Sequence, residues 1–386
     1  MTLIYLVAGE ASGDALGARL MAALATHRSD LRFAGVGGPL MAAHGLASLF
    51  PMDDLALMGF LEVVPRLAQL RRRLRQAAAD IAARRPAVVV TIDSPGFTLR
   101  LLRAIAPLGI HRLHYVAPQA WAWRESRARH YPGLWDALLC LLPFEPEFFA
   151  RYNVPARFTG HPVLESGADQ GDAAGFRNRH GIAPEARVIT VMPGSRPTEA
   201  GRLLPIFGAA LGRLRGAVSP IVAVVPVAPS VAAAVRAGTA GWPVQPVLVT
   251  DTAEKHDAYA ASAAALTKSG TSTLELALAG VPMLVAYRVN PLSAALAQRL
   301  VTVRHAALLN LLLDRTAVPE LIQGACTPSR LADELLKLLT DPTVGAAQRA
   351  DFRTALDRLR PPAGLPSEAA AAAVLEVIEQ SARQQA

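Results

Sequence analysis

The stretch Leu3-Ile4-Tyr5-Leu6-Val7-Ala8-Gly9-Glu10-Ala11-Ser12-Gly13-Asp14 runs from an apolar, non-alternating segment into a glycine-containing turn that opens a helix. Apolar residues at every position are what a strand buried on both faces requires, as in a parallel sheet flanked by helices. The same succession recurs along the chain. Strand-like runs stand at Leu3–Val7, Arg32–Val36, Ala87–Ile92, Arg112–Val116 and Ala137–Leu141, then at Arg187–Met192, Ile221–Val225, Val247–Thr250, Ala264–Thr267 and Met283–Tyr287. Longer Ala/Leu/Arg-rich stretches of helical length separate them. Strands spaced by helices make βαβ units, so the fold class is α/β with parallel, doubly wound sheets.

Between the two sets of strands lies Glu165-Ser166-Gly167-Ala168-Asp169-Gln170-Gly171-Asp172, polar and without periodicity. It reads as a linker between two Rossmann-like domains, at 1–166 and 167–360. A final Ala-rich helix, Ser367 to Gln380, follows the Pro361-Pro362 break within 361–386 and can pack back on the first domain.

Of the 386 residues, 52% are hydrophobic and 18% charged, which excludes intrinsic disorder and supplies material for two cores. Cys140 and Cys326 are too few for a disulfide scaffold, and no zinc-ligand spacing occurs. The basic excess, 39 against 31, is nearly all arginine, because the lysines are Lys255, Lys268 and Lys337 only. That balance suits anionic partners. Aromatics at 5%, with no basic–aromatic alternation, speak against nucleic acid. Met1 to Ala8 lacks a positive leader, and the uncharged run Gly216–Val235 is broken by Pro220, Pro226 and Pro229. No spanning helix is therefore expected, and any membrane contact is peripheral.

In open parallel sheets the ligand lies at the carboxyl ends of the strands. Gly9-Glu10-Ala11-Ser12-Gly13-Asp14 stands at one such end; it is either an anion loop or a helix cap by Ser12 or Asp14. Asp93 closes the apolar strand before Ser94-Pro95-Gly96, placed as a general base, as an N-cap or as an Asp bonding to its own turn. Pro193-Gly194-Ser195-Arg196 offers backbone donors and a guanidinium for phosphate. Lys268-Ser269-Gly270-Thr271-Ser272-Thr273-Leu274-Glu275 offers a second anion cradle, and Glu275 a partner for ribose hydroxyls. Its alternative is a capping box between Ser272 and Glu275. Two such loops in one half fit a diphosphate. Met58-Gly59-Phe60-Leu61, followed by Arg71, Arg72, Arg73 and Arg75 around a helix with Leu67, Leu70, Leu74 and Ile81 on one face, suits anionic lipid or a plain sheet-covering helix. Trp121 and Trp123 either floor a cleft or fill a core. His161 reads as a turn residue.

These segments in this order, together with Leu142-Pro143-Phe144-Glu145, Gly160-His161-Pro162, Asn310-Leu311-Leu312 and Val318-Pro319-Glu320-Leu321-Ile322-Gln323, cover about residues 3–325. The set resembles the lipid-A-disaccharide synthases, inverting glycosyltransferases of the GT-B type, with two Rossmann-like domains facing a cleft. The resemblance implies transfer from UDP-2,3-diacylglucosamine to 2,3-diacylglucosamine 1-phosphate, forming the β-1,6 disaccharide 1-phosphate and UDP. It implies Asp93 as the base, and UDP on Gly194, Ser195, Arg196, Ser269, Gly270, Thr271, Glu275 and Asn310. Acceptor contacts fall on Glu10, Ser12, Gly13, Asp14 and Trp121, and lipid contacts on Met58, Phe60, Leu61, Arg71, Arg72 and Arg73. No metal or other cofactor is expected. The expected location is the cytoplasmic face of the inner membrane of a Gram-negative bacterium. Gly96-Phe97-Thr98, Leu309 and Gln119-Ala120 depart from the family's usual residues, which bears on acceptor and acyl preference. The competing readings are another GT-B enzyme on a UDP-sugar, such as a lipid-linked glycosyltransferase or a UDP-N-acetylglucosamine epimerase, and a non-catalytic nucleotide-sugar or lipid-binding protein. A dehydrogenase is disfavoured, since neither half has the dinucleotide glycine fingerprint.

Overall fold

The computed structural model describes residues 1–55, 60–290 and 303–385, apart from the side chains of 60–66 and 381–385. The chain forms two compact units, one of Met1–Pro162 with Leu359–Ala386 and the other of Val163–Arg358. Each holds a six-stranded, all-parallel sheet.

In the first unit β1 (Thr2–Ala8), β2 (Leu31–Val36), β3 (Val88–Ile92), β4 (His111–Tyr115), β5 (Ala137–Cys140) and β6 (Ala156–Phe158) stand in the order β2-β1-β3-β4-β5-β6. One face carries helices Ala11–His27 and Pro366–Gln385, whose Leu20, Leu24, Ala370 and Val374 pack on Ile4, Leu6 and Val90. The other carries Phe60–Arg84 and Pro95–Ile105, whose Leu70, Ile81, Phe97 and Leu101 pack on Tyr5, Val7 and Val89. Both faces of each central strand are thus dry, which explains their unbroken apolar sequence.

The second unit has β7 (Arg187–Met192), β8 (Ile221–Pro226), β9 (Val247–Val249), β10 (Ala264–Lys268), β11 (Met283–Tyr287) and β12 (Glu320–Ile322), in the order β12-β11-β10-β7-β8-β9. Helices Pro197–Arg215 and Pro328–Thr340 cover one face, Ala173–Arg179 and Thr252–Ala261 the other. The uncharged run with three prolines holds β8, a short 3-10 turn at Pro229–Val231 and the start of helix Ala232–Thr239. Among the described residues no helix is long and apolar enough to cross a membrane.

The residues around 160 are explained by the chain's return to the first unit. A Cβ on Gly160, at φ +82°, would lie 2.7 Å from Pro361 Cδ, and the His161 N–H donates to Leu359 O at 3.0 Å. His161 is buried, and burial lowers its pKa to about 4. The imidazole is therefore neutral at physiological pH.

Candidate functional site

The first sheet changes direction between β1 and β3. The chain leaves β1 for β2 on one side and returns to β3 on the other, and a crevice opens where strand order reverses in this way. The register Ala8↔Ile92 sets Gly9 and Asp93 side by side at its mouth. A Cβ on Gly9 would stand 2.5 Å from Ser94 Oγ, so the close approach requires glycine.

Asp93 and Ser94 both adopt positive φ, 50° and 46°. Left-handed backbone at non-glycine residues costs on the order of 1–3 kcal/mol each and needs support. The Asp93 N–H donates to Tyr115 O at 2.9 Å, and the Thr98 hydroxyl donates to Asp93 O and Ser94 O at 2.8 and 3.0 Å. Asp93 Oδ1 accepts the Ser94 N–H at 2.8 Å. Burial outweighs that bond and raises the carboxyl above its ordinary range. Ser94, and not Asp93, precedes helix Pro95–Ile105, so the aspartate is not spent as its cap. A cavity of about 430 Å³ opens beside this turn, walled by Leu55, Leu67, Leu70, Leu74 and Phe97, with Glu10, Ser94, Arg71 and Arg100 as its polar groups.

Glu10 and Arg71 thus reach this cavity, and the other expected residues of the first unit fall elsewhere. Glu10 stands at the N-cap position of helix Ala11–His27, and Ser12 is exposed on its first turn. Gly13 is buried against Ala8 and Ile92. Asp14 is 2% exposed, and its carboxylate accepts the N–H groups of Gly38, Leu40 and Met41 at 2.8–3.0 Å. It anchors the turn after β2 and the helix Pro39–Ala43, not its own helix. Trp121 is buried, donates from Nε1 to Glu145 Oε1 at 2.9 Å and meets the Phe144 ring edge-on. It is a strut, while Trp123 is 41% exposed beneath Arg124 and Arg127. Arg71 and Arg72 are exposed. Arg73 is not available to lipid as expected: its guanidinium is bonded to Asp54 at 2.7 Å and lies over Phe50. Met58 lies outside the described residues, as do the side chains of Phe60 and Leu61.

In the second sheet strand order reverses between β7 and β10, whose ends meet at Thr267↔Met192. Both candidate phosphate loops leave from this point. Gly194, Ser195, Gly270 and Thr271 line one cavity of about 440 Å³, together with Lys255, Lys268, Asp251 and Pro226. Arg196 stands at the N-cap position of helix Pro197–Arg215, its side chain 73% exposed and 3.3 Å from Glu199. Anions are favoured at that end of a long helix.

Ser269 turns its hydroxyl to Ala306 O at 2.6 Å. The Ser272–Glu275 capping box does not form: Thr271 holds the N-cap position without a side-chain bond. Glu275 is held instead by Lys255 Nζ at 3.1 and 3.2 Å and by the Tyr259 hydroxyl at 3.1 Å. Asn310 is fully buried and all of its amide bonds are internal. Its Oδ1 accepts the Ala317 and Val318 N–H groups, and its Nδ2 donates to Val318 O and to Glu320 Oε1. Glu320 accepts the N–H groups of Ala306 and Ala307. Asn310 is therefore not brought to the cavity; it braces the segment on which Ser269 rests.

The model of the lipid-A-disaccharide synthetase family matches residues 4–374. The lipid-A-disaccharide synthase of Granulibacter bethesdensis is 56% identical over 98% of this chain and 99% of its own length. This chain belongs to the lipid-A-disaccharide synthase family. Among solved structures, a UDP-GlcNAc 2-epimerase from Neisseria meningitidis matches with a TM-score of 0.63 at 12% identity, over 98% of this chain and 100% of its own. CalG4, the calicheamicin glycosyltransferase, matches with a TM-score of 0.61 at 15% identity, over 98% and 100%. Those likenesses show the two-unit GT-B fold alone, which epimerases and transferases share. Membership of the synthase family makes this chain a glycosyltransferase of lipid A biosynthesis.

Several residues of this synthase family member have no role assigned to them from the sequence. Ser94 Oγ is buried without a hydrogen-bond partner among the described residues, and Arg100 reaches the first cavity from about two turns beyond Asp93. In the second unit Glu199, Lys255 and Lys268 surround the phosphate loops. The scarcity of lysine was the available signal for the last two.

Proposed function

We propose that this chain transfers 2,3-diacylglucosamine from UDP-2,3-diacylglucosamine to 2,3-diacylglucosamine 1-phosphate with inversion. The acceptor binds in the first unit and UDP in the second. The observation that carries the reading is Asp93, a carboxyl of raised pKa at the switch point of the first sheet, beside an apolar cavity fit for an acyl chain. As the acceptor 6-hydroxyl oxygen attacks the anomeric carbon, Asp93 takes its proton; the bond to the diphosphate oxygen breaks, and UDP leaves with the electron pair. General-base catalysis of this kind is worth roughly 10²–10⁴ in rate. Arg196 and the backbone N–H groups of the 194–196 and 269–271 loops stabilise the charge that builds on UDP. No metal takes part in the proposed reaction.

Diacylated substrates reside in a bilayer, and Arg71, Arg72 and Arg75 are exposed on the helix beside the cavity. We place the working enzyme on the anionic cytoplasmic face of the inner membrane, each cation contributing about 1 kcal/mol there. Changing the three arginines to Glu releases the chain from anionic vesicles; undiminished binding refutes the surface. The reaction is tested by UDP release from the donor in detergent micelles with EDTA, with and without acceptor. Acceptor-dependent release that survives EDTA supports the proposal, and release that needs a divalent cation removes its metal-free form. Release without acceptor points to hydrolysis or epimerisation chemistry.

A further inference from the structure

Lys268 is the last residue of β10 and lies between the two loops of the second cavity. A Cβ on Gly194 would touch Lys268 Cδ at 3.4 Å, and one on Gly270 would approach Nζ at 3.8 Å. The stem thus crosses one loop and the ammonium reaches the other. Nζ stands 3.2 Å from Glu199 Oε2, and Glu199 is buried in the first turn of helix Pro197–Arg215. The same carboxylate meets Arg196 through Oε1. One buried acid therefore positions two cations on either side of the loop glycines.

The two cations are not equivalent. The Arg196 side chain is 73% exposed and that of Lys268 20%, and a cation withdrawn from water is screened less by salt. An ammonium also carries three N–H donors, and Lys268 meets Glu199 as an ion pair at 3.2 Å. In a chain with only three lysines among 39 cationic residues, this one sits where both loops converge.

We propose that Lys268, positioned by Glu199, is a diphosphate-binding residue of the nucleotide site and carries the larger share of the leaving-group charge, with Arg196 as the outer cation. The inference rests on the reading of the second cavity as the UDP site. It predicts that Lys268 discriminates by phosphate count and is indifferent to the nucleoside.

The test is calorimetric titration of the full chain with UDP, UMP and uridine, for the native protein and for Lys268→Met. UDP binding weakens about 10- to 100-fold in the variant while uridine binding stays within about twofold, as expected for loss of a charged hydrogen bond. Lys268→Arg keeps the charge and recovers part of the preference for UDP. Unchanged UDP affinity in Lys268→Met overturns the inference and leaves the UDP site standing. Equal losses for UDP and uridine do the same, assigning Lys268 to cavity shape. Failure of the native chain to bind UDP overturns both.

Should Lys268→Met not fold, amine-selective acetylation of the native chain with peptide mass spectrometry decides the matter. UDP, and not uridine, protects Lys268 while the exposed Lys337 reacts at the same rate throughout. Equal acetylation of Lys268 under both ligands overturns the inference.

Discussion

Asp93 and Glu145 in the first unit lose water without gaining a cation, whereas Glu199 and Glu275 in the second are each held by a lysine. Among the described residues neither of the first pair has an ion-pair partner within 4 Å. Burial raises Asp93, and raises Glu145 to about 7 even though it accepts N–H groups from Leu141, Leu142 and Trp121. Glu199 and Glu275 lie 3.2 and 3.1 Å from Lys268 and Lys255. Both sheets are parallel and doubly wound, with one strand beyond β1 in the first and two beyond β7 in the second, and the chemistry at their switch points is opposed. An unpaired buried carboxyl is poised to take a proton, and a paired one fixes cations for an anion. The first suits an acceptor hydroxyl, the second a departing diphosphate.

The sharpest way to break the contrast is Asp93→Asn. With folding confirmed, kcat falls by about 10²–10⁴ while UDP affinity holds, because the second unit is untouched. The native rate declines as pH falls through the raised pKa of Asp93, since only the carboxylate is a base, and this limb is absent from the residual activity of the variant. A rate loss that tracks UDP affinity would assign Asp93 to binding.

Glu145 provides an equilibrium test. Its ordinary pKa near 4.5 becomes about 7 in the folded chain. Between these values the folded protein holds a proton that the unfolded protein has released, so stability falls as pH rises from about 4.5 to about 7, by about 3 kcal/mol. Urea unfolding across this window measures the slope, and Glu145→Gln flattens it. The same slope in the Gln variant would place its origin elsewhere. The smallest effect belongs to Arg196→Ala. For so exposed a cation, UDP affinity drops by about tenfold at low salt, and the gap from the native chain narrows as salt screens the native contact. A larger loss than that of Lys268→Met would reverse the order of the two cations.

Most of the fold was legible because strands dry on both faces leave continuous apolar runs, and the ten runs read from sequence correspond to ten of the strands. The other two, β6 and β12, are three-residue edge strands, and Glu320-Leu321-Ile322 even begins with a charge. Strand-end placement of Asp93 and Gly194 was also legible, since a residue closing an apolar run must stand at the sheet's edge of chemistry. What stayed hidden were partners distant in sequence. Nothing local to Asp14 announces that Gly38 to Met41 will consume its carboxylate. Nor does Asn310 reveal that its amide closes on Val318 and Glu320. Lys268 stands at the head of the second cradle in the sequence, but nothing local to it shows the approach of its Nζ to within 3.2 Å of Glu199.

The helix Pro366–Gln385 completes one face of the first sheet, where Ala370, Ala371 and Val374 cover residues of β1 and β3. During translation that face emerges early and its cover only after the whole of the second unit. At roughly 5–20 residues per second the interval is about 10–40 s. Throughout it helix Ala11–His27 alone covers the face of Ile4, Leu6 and Val90, and the remainder of that face is offered to water or to a chaperone.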